Sequence, residues 1–142
     1  MKIAIAVVGK LKEPWQIAAN ADYEKRLRPY CSLRMVEAKD ETQLIATLPE
    51  RTHLYVFDER GDPITSRQLA DILAHEASHG GGVPVVFAIG GADGHSDAVR
   101  SRAIRLLSFG RMTIAHRLVR IVVLEQLYRA FKILNGEPYH RD

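Results

Sequence analysis

The sequence predicts an α/β fold: a mostly parallel sheet flanked by helices. Three observations carry this. Apolar stretches bounded by turn residues alternate with amphipathic ones along the whole chain, as βαβ units require. The apolar stretches, such as residues 3–8 and 85–89, are continuous, as in strands covered on both faces. The glycine-rich turn Gly90-Gly91-Ala92-Asp93-Gly94 directly follows one of them, where open α/β sheets place their ligands.

Residues 2–8 open the chain as a buried strand. Pro14 suits the first turn of a helix, and Trp15, Ala18, Ala19, Asp22 and Tyr23 carry it to about Leu27, before Pro29 ends it. Residues 31–36 form a second strand, 41–48 a short helix stopped by Pro49, and 53–57 a third strand. Asp58-Glu59-Arg60-Gly61-Asp62-Pro63 is a loop by composition. Ser66 caps a helix over 66–78 with an inner stripe of Leu69, Ile72 and Leu73, broken by Gly80-Gly81-Gly82. Residues 84–89 form a fourth strand. Ser96 caps a helix reaching about Leu106, 109–114 form a weak strand or a loop, and 117–134 a final helix of about five turns. Apolar residues of that helix, from Leu118 through Val122 and Leu127 to Leu134, spread around most of its circumference. One sheet face cannot cover them all, so a twofold homodimer through this helix is expected.

The 142 residues fit one domain spanning 1–142. No apolar run approaches the roughly 20 residues of a membrane helix, and the opening run is too short for a secretory leader. The single Cys31 excludes an internal disulfide, fits a reducing cytoplasm and reads as a small buried hydrophobe. Residues 96–142 hold nine Lys/Arg against four Asp/Glu, a charge of +5, which leaves −2 for the remainder of a chain of net +3. A basic final third suits an anionic partner, nucleic acid foremost, or a solvated surface.

The glycine turn can cradle a ligand against backbone or serve only as a tight turn; it lacks the lysine of a P-loop. His75-Glu76-Ala77-Ser78-His79 matches the zinc-peptidase pattern H-E-x-x-H. Yet Val85 stands where the extended form has its third ligand, and the helix ends directly after His79, so a chance match is expected and no metal site is assigned. Residues 107–116 mix glycine and hydroxyls, as suits a loop wrapping a ligand. Arg117, Arg120, Arg129 and Lys132 of the last helix, with Tyr128, suit phosphates and a splayed base, or snorkel along an interface. Tyr139-His140-Arg141 adds an aromatic ring, an imidazole and a fixed charge at the end of the chain.

Gly90-Gly91 with Gly94, Leu107-Ser108 with Thr113 and His116, the run from Arg120 to Glu125, Leu127-Tyr128-Arg129-Ala130 and Tyr139-His140-Arg141 form an ordered set. Together they resemble the large-subunit ribosomal RNA pseudouridine N3-methyltransferases of the SPOUT superfamily, over nearly the whole chain. The resemblance implies a C-terminal trefoil knot, a homodimer through the last helix, and S-adenosyl-L-methionine bound in the knot with no metal. It implies methylation of N3 of a pseudouridine in the helix 69 loop of 23S rRNA, within the assembled ribosome. The cofactor pocket would be lined by Phe57, Gly91, Ser108, Phe109, Gly110, Arg111, Met112, Thr113 and Ile114. Phe57 stands where the family usually has leucine, Ala115 where proline is common, and Ala92-Asp93 where Pro-Glu is frequent. Arg141 and Arg129 would hold phosphate or uracil oxygens, His140 would accept the N3 proton, and Tyr139 would position the base. Other readings are an RNA-binding ribosome assembly factor without catalysis, and a zinc peptidase on His75 and His79.

Overall fold

The computed structural model describes residues 1–139. Five strands, β1 (Lys2–Val8), β2 (Ser32–Ala38), β3 (His53–Pro63), β4 (Val85–Ile89) and β5 (Arg105–Ser108), form one sheet in the order β2-β1-β4-β3-β5. Every strand pair in it is parallel. Helices α1 (Pro14–Leu27), α2 (Glu41–Thr47), α3 (Ser66–His79), α4 (Asp97–Arg102) and α5 (His116–Leu134) make the crossovers.

Side-chain alternation sorts the core into two layers. Ile3, Ile5, Val7, Tyr55, Phe57, Phe87 and Ile89 face one side, against Leu73 of α3, Leu27 of α1 and Leu124 and Leu127 of α5. Ala6, Leu54, Val56, Val86 and Ala88 face the other, under Leu44 of α2 and Val99 of α4. Large side chains thus lie under three long helices and small ones under two short helices.

Three elements differ from the expectation. The acidic run after Phe57 is not a loop: β3 continues to Pro63, because Asp62 and Pro63 pair with Leu107 and Ser108. The helix after Ser96 stops at Arg102, and residues 105–108 instead form the edge strand β5. Thr65, not Ser66, caps α3: its hydroxyl accepts from the Gln68 amide at 3.1 Å, and Gln68 Oε1 accepts from the Thr65 amide at 2.8 Å. Helix α1 buries Gln16, Asn20 and Leu27 and leaves Trp15 exposed.

Helix α5 lies on the sheet between α1 and α3, which cover its flanks. Its strictly buried residues include Arg120, whose guanidinium donates to Glu37 at 2.7 Å and Asn20 at 3.0 Å. Leu118 and Leu134 remain exposed. Cys31 is half-buried, and burial pushes its thiol up to about 11. Among the described residues no helix is long and apolar enough to cross a membrane.

Candidate functional site at the carboxyl ends of three strands

Parallel pairing sets the carboxyl ends of β3, β4 and β5 side by side, with Phe57 in register with Ile89 on one flank and Leu107 on the other. A cavity of about 530 Å³ opens there, within the range of small-molecule sites. Residues 58–60, 90–95, 108–110 and 112–116 wall it, with Arg100 and Val119.

The glycine turn is both a tight turn and a wall of this cavity. Gly91 and Gly94 bridge each other, the Gly94 amide donating to the Gly91 carbonyl at 3.0 Å with φ +74° at Gly94. A β-carbon on Gly90 would stand 2.9 Å from the Gly94 carbonyl carbon, so only glycine allows the loop to close so tightly. Across the cavity the Ser108 hydroxyl donates to the Gly110 carbonyl at 3.0 Å and accepts from the Gly110 amide at 3.0 Å, shaping the loop. The Phe109 ring stacks on Phe57 with centroids 4.9 Å apart and planes 3° apart.

Of the sequence-predicted cofactor residues, Phe57, Gly91, Ser108, Phe109, Gly110, Met112, Thr113 and Ile114 line the cavity, and Arg111 does not. The wall residues that sequence reasoning missed include Asp58, His95 and Arg100. The Asp58 side chain is 2% exposed and accepts from Arg100 Nε at 2.8 Å and from the Arg60 amide at 2.8 Å. Burial works against its charge, but the Arg60 amide and the Arg100 guanidinium outweigh burial and hold the carboxyl below the usual range. Neither ring nitrogen of buried His95 has a hydrogen-bond partner among the described residues; Nδ1 lies 3.5 Å from Glu41 Oε2 without hydrogen-bonding geometry. Burial, against the pull of Glu41 and Asp58, lowers its basicity and keeps the imidazole neutral at pH 7. No motif marks His95; Asp58 was hidden by its turn-like neighbours.

Of the tail residues, Tyr139 does not line the cavity of its own chain. The Tyr139 hydroxyl donates to Glu125 Oε1 at 3.0 Å, its ring meets Tyr128 edge-on at 4.8 Å, and Arg129 lies over it at 5.1 Å. Arg129 in turn pairs with Glu125 at 2.6 Å. Glu125 is six residues beyond Val119, about 9 Å along α5 from the cavity wall. His140 and Arg141 lie outside the described residues. Tyr128 is packed by Tyr23, Tyr30 and Tyr139 rather than open to a base, and Lys132 is held by Glu137 at 3.0 Å. Of the cations expected on α5 for phosphates, Arg120, Arg129 and Lys132 are thus engaged within the fold; Arg117 makes no ion pair or hydrogen bond among the described residues.

The H-E-x-x-H match places its groups in opposite directions. His75 and His79 stack on each other in the open at 4.8 Å, while Glu76 is buried and accepts from Tyr55 at 2.7 Å and meets His53 Nδ1 at 2.7 Å. A glutamate so engaged is not poised as a general base beside the two histidines.

The family model described as "Predicted SPOUT methyltransferase" matches residues 1–140. Ribosomal RNA large subunit methyltransferase H of Geotalea daltonii is 40% identical, with 99% of each chain covered. The protein of the same name from Geotalea uraniireducens is 42% identical, and that from Paramagnetospirillum magneticum 45%, again over 99% of each chain.

Proposed function

The chain belongs to the SPOUT methyltransferase family, and from that premise we propose that it methylates large-subunit ribosomal RNA, at N3 of a pseudouridine in 23S rRNA, using S-adenosyl-L-methionine. The observation that carries this is the cavity at the ends of β3, β4 and β5, found in a chain alike to named ribosomal RNA methyltransferases from end to end.

The residues present fit this cofactor. Phe57, Ile89 and Leu107 offer an apolar floor, the glycine turn offers backbone groups at close range, and the unpartnered nitrogens of His95 await a polar partner. Phe57, Gly91 and the 108–114 loop would hold the cofactor, as one domain over 1–142. When bound, the cofactor supplies an electrophilic methyl on a sulfonium centre. The chain's part is to position the base and exclude water. His140 takes the N3 proton, a role suited to an imidazole, Arg141 holds phosphate or uracil oxygens, and Tyr139 orients the base. With its guanidinium on Glu125, Arg129 serves to hold Tyr139 rather than a phosphate.

The knot is supported by the double pairing of Leu107 with Phe57 and with Asp62, and by the close approach of Gly61 to the β5 backbone. The homodimer is supported by Leu118 and Leu134, left exposed along α5. The seat of Tyr139 on Glu125, two turns along α5 from its own cavity, supports a tail that completes the partner's site in a cytoplasmic enzyme acting on the ribosome. The test is methyl transfer from labelled S-adenosyl-L-methionine to ribosomes, with mass spectrometry of the 23S rRNA. The modified base should be an N3-methylated pseudouridine. Turnover undiminished in His140→Ala and in a chain ending at Pro138 would remove the tail from the chemistry.

A further inference from the structure

Trp15, the chain's single tryptophan, stands in the first turn of α1 and is 57% exposed, with Ile17 50% exposed beside it. A lone exposed apolar side chain is ordinary. Trp15 does not stand alone. The loop leading to it carries Lys10 and Lys12, both exposed, with Glu13 the one carboxylate between Gly9 and Trp15. Among the described residues Lys10, Lys12 and Arg117 make no ion pair or hydrogen bond, unlike Arg120, Arg129 and Lys132. Lys10 and Leu11 share a crevice with His116 and Arg117, and Gly90 and His116 line both this crevice and the large cavity. The β1–α1 loop therefore borders the candidate site.

Resting on the RNA-methylating reading above, we propose that Trp15, with Lys10, Lys12 and Arg117, forms a nucleobase-stacking subsite for single-stranded RNA on the β1–α1 loop and the start of α1, beside the crevice that adjoins the cavity. An unpaired base lies on the indole face, and the flanking phosphates meet the three free cations. This pairing of an aromatic platform with unengaged cations is how proteins hold single strands. Charge argues against a second copy of this chain as the occupant. A twofold contact through this patch would set its excess of positive charge against the same excess on the partner.

The single tryptophan makes the subsite observable without a label. Titration with a synthetic hairpin RNA bearing a pseudouridine-containing loop should quench its emission, and a fully paired duplex should do so far less. Trp15→Ala should raise the KM for ribosomes and the Kd for the hairpin roughly tenfold, and Trp15→Phe should recover most of both. Lys10→Ala and Lys12→Ala should each lower the salt slope of RNA binding by about one. Binding of S-adenosylhomocysteine, followed by calorimetry, should be the same in all four variants, showing that they fold. An unchanged KM in Trp15→Ala, with the wild type methylating ribosomes, overturns the subsite alone. Emission that changes with protein concentration in the absence of RNA, together with dissociation of the Trp15→Ala dimer, assigns the patch to a second copy instead. A wild type that neither binds nor methylates ribosomes defeats the functional reading itself.

Discussion

The α-carbon of Gly61 lies so close to Leu107 that a β-carbon on it would stand 2.6 Å from the Leu107 nitrogen and 2.7 Å from its carbonyl carbon. Leu107 pairs with Phe57 and again with Asp62, so the residues between them bulge out of the ladder and Gly61 crosses close against the β5 backbone. Backbone cannot move aside as a side-chain tip can. Gly61→Ala should cost roughly 2–4 kcal/mol, at the upper end for single substitutions, and should also loosen the Ser108–Gly110 loop. Thermal unfolding with and without S-adenosylhomocysteine reads both. An alanine variant that melts with the wild type would show that the crossing is slack.

That crossing is also where the sequence misled. Asp58-Glu59-Arg60-Gly61-Asp62-Pro63 has the composition of a loop, and only β5, distant in sequence, makes it a strand. Residues 105–108 continue the apolar spacing of α4, and neither glycine nor proline marks the break at Ala103, so a four-residue edge strand was absorbed into the helix. Where one element suffices, as in β1, β4 or the Leu69-Ile72-Leu73 stripe of α3, periodicity was enough. The glycine turn and the 108–114 loop were legible because backbone chemistry depends on local residue type. Asp58, Arg100 and His95 were not, since their meaning arises only from burial beside one another.

Asp58 and Arg100 join β3 to α4 through a carboxylate that is 2% exposed and a guanidinium that is 18% exposed. Removing one partner strands the other's charge. Arg100→Met should therefore destabilise the fold, and Asp58→Asn added to it should restore much of that loss. Urea unfolding of the two single variants and the double gives the coupling. Additive losses would mean that the two groups act independently.

His95 predicts a pH dependence of stability. Burial disfavours its charged form, with Arg100 adding to the effect and Glu41 and Asp58 opposing it. The unfolded chain takes up the proton near its ordinary pKa of about 6.5, and the folded chain only below it. The unfolded state thus binds more protons in that window, so stability is lost as pH falls below about 6.5. The depressed carboxyl of Asp58 acts in a separate, more acidic window, where stability is lost as pH falls through its folded value. Melting temperature should fall between pH 7 and 5, and His95→Leu should flatten that fall. An equal slope in the variant would assign the acid sensitivity elsewhere.

Glu125 anchors both Arg129 and Tyr139 midway along α5, which puts the last described residue well away from the cavity of its own chain. A tail that serves the partner's cavity makes complementation possible. His140→Ala spoils the tail and leaves the cavity; Gly90→Val spoils the cavity, since even a β-carbon there meets the Gly94 carbonyl carbon at 2.9 Å. Each variant alone should be nearly inactive. Unfolded together and refolded as a mixture, they form roughly half heterodimers, each with one intact cavity facing one intact tail, so about a quarter of wild-type turnover should return. A tail acting within its own chain restores none, because every intact cavity then keeps a spoiled tail. Glu125→Gln, which weakens the seat of Tyr139, should lower turnover severalfold in the wild-type background while leaving S-adenosylhomocysteine affinity unchanged. A parallel loss of affinity would place Glu125 at the cofactor instead.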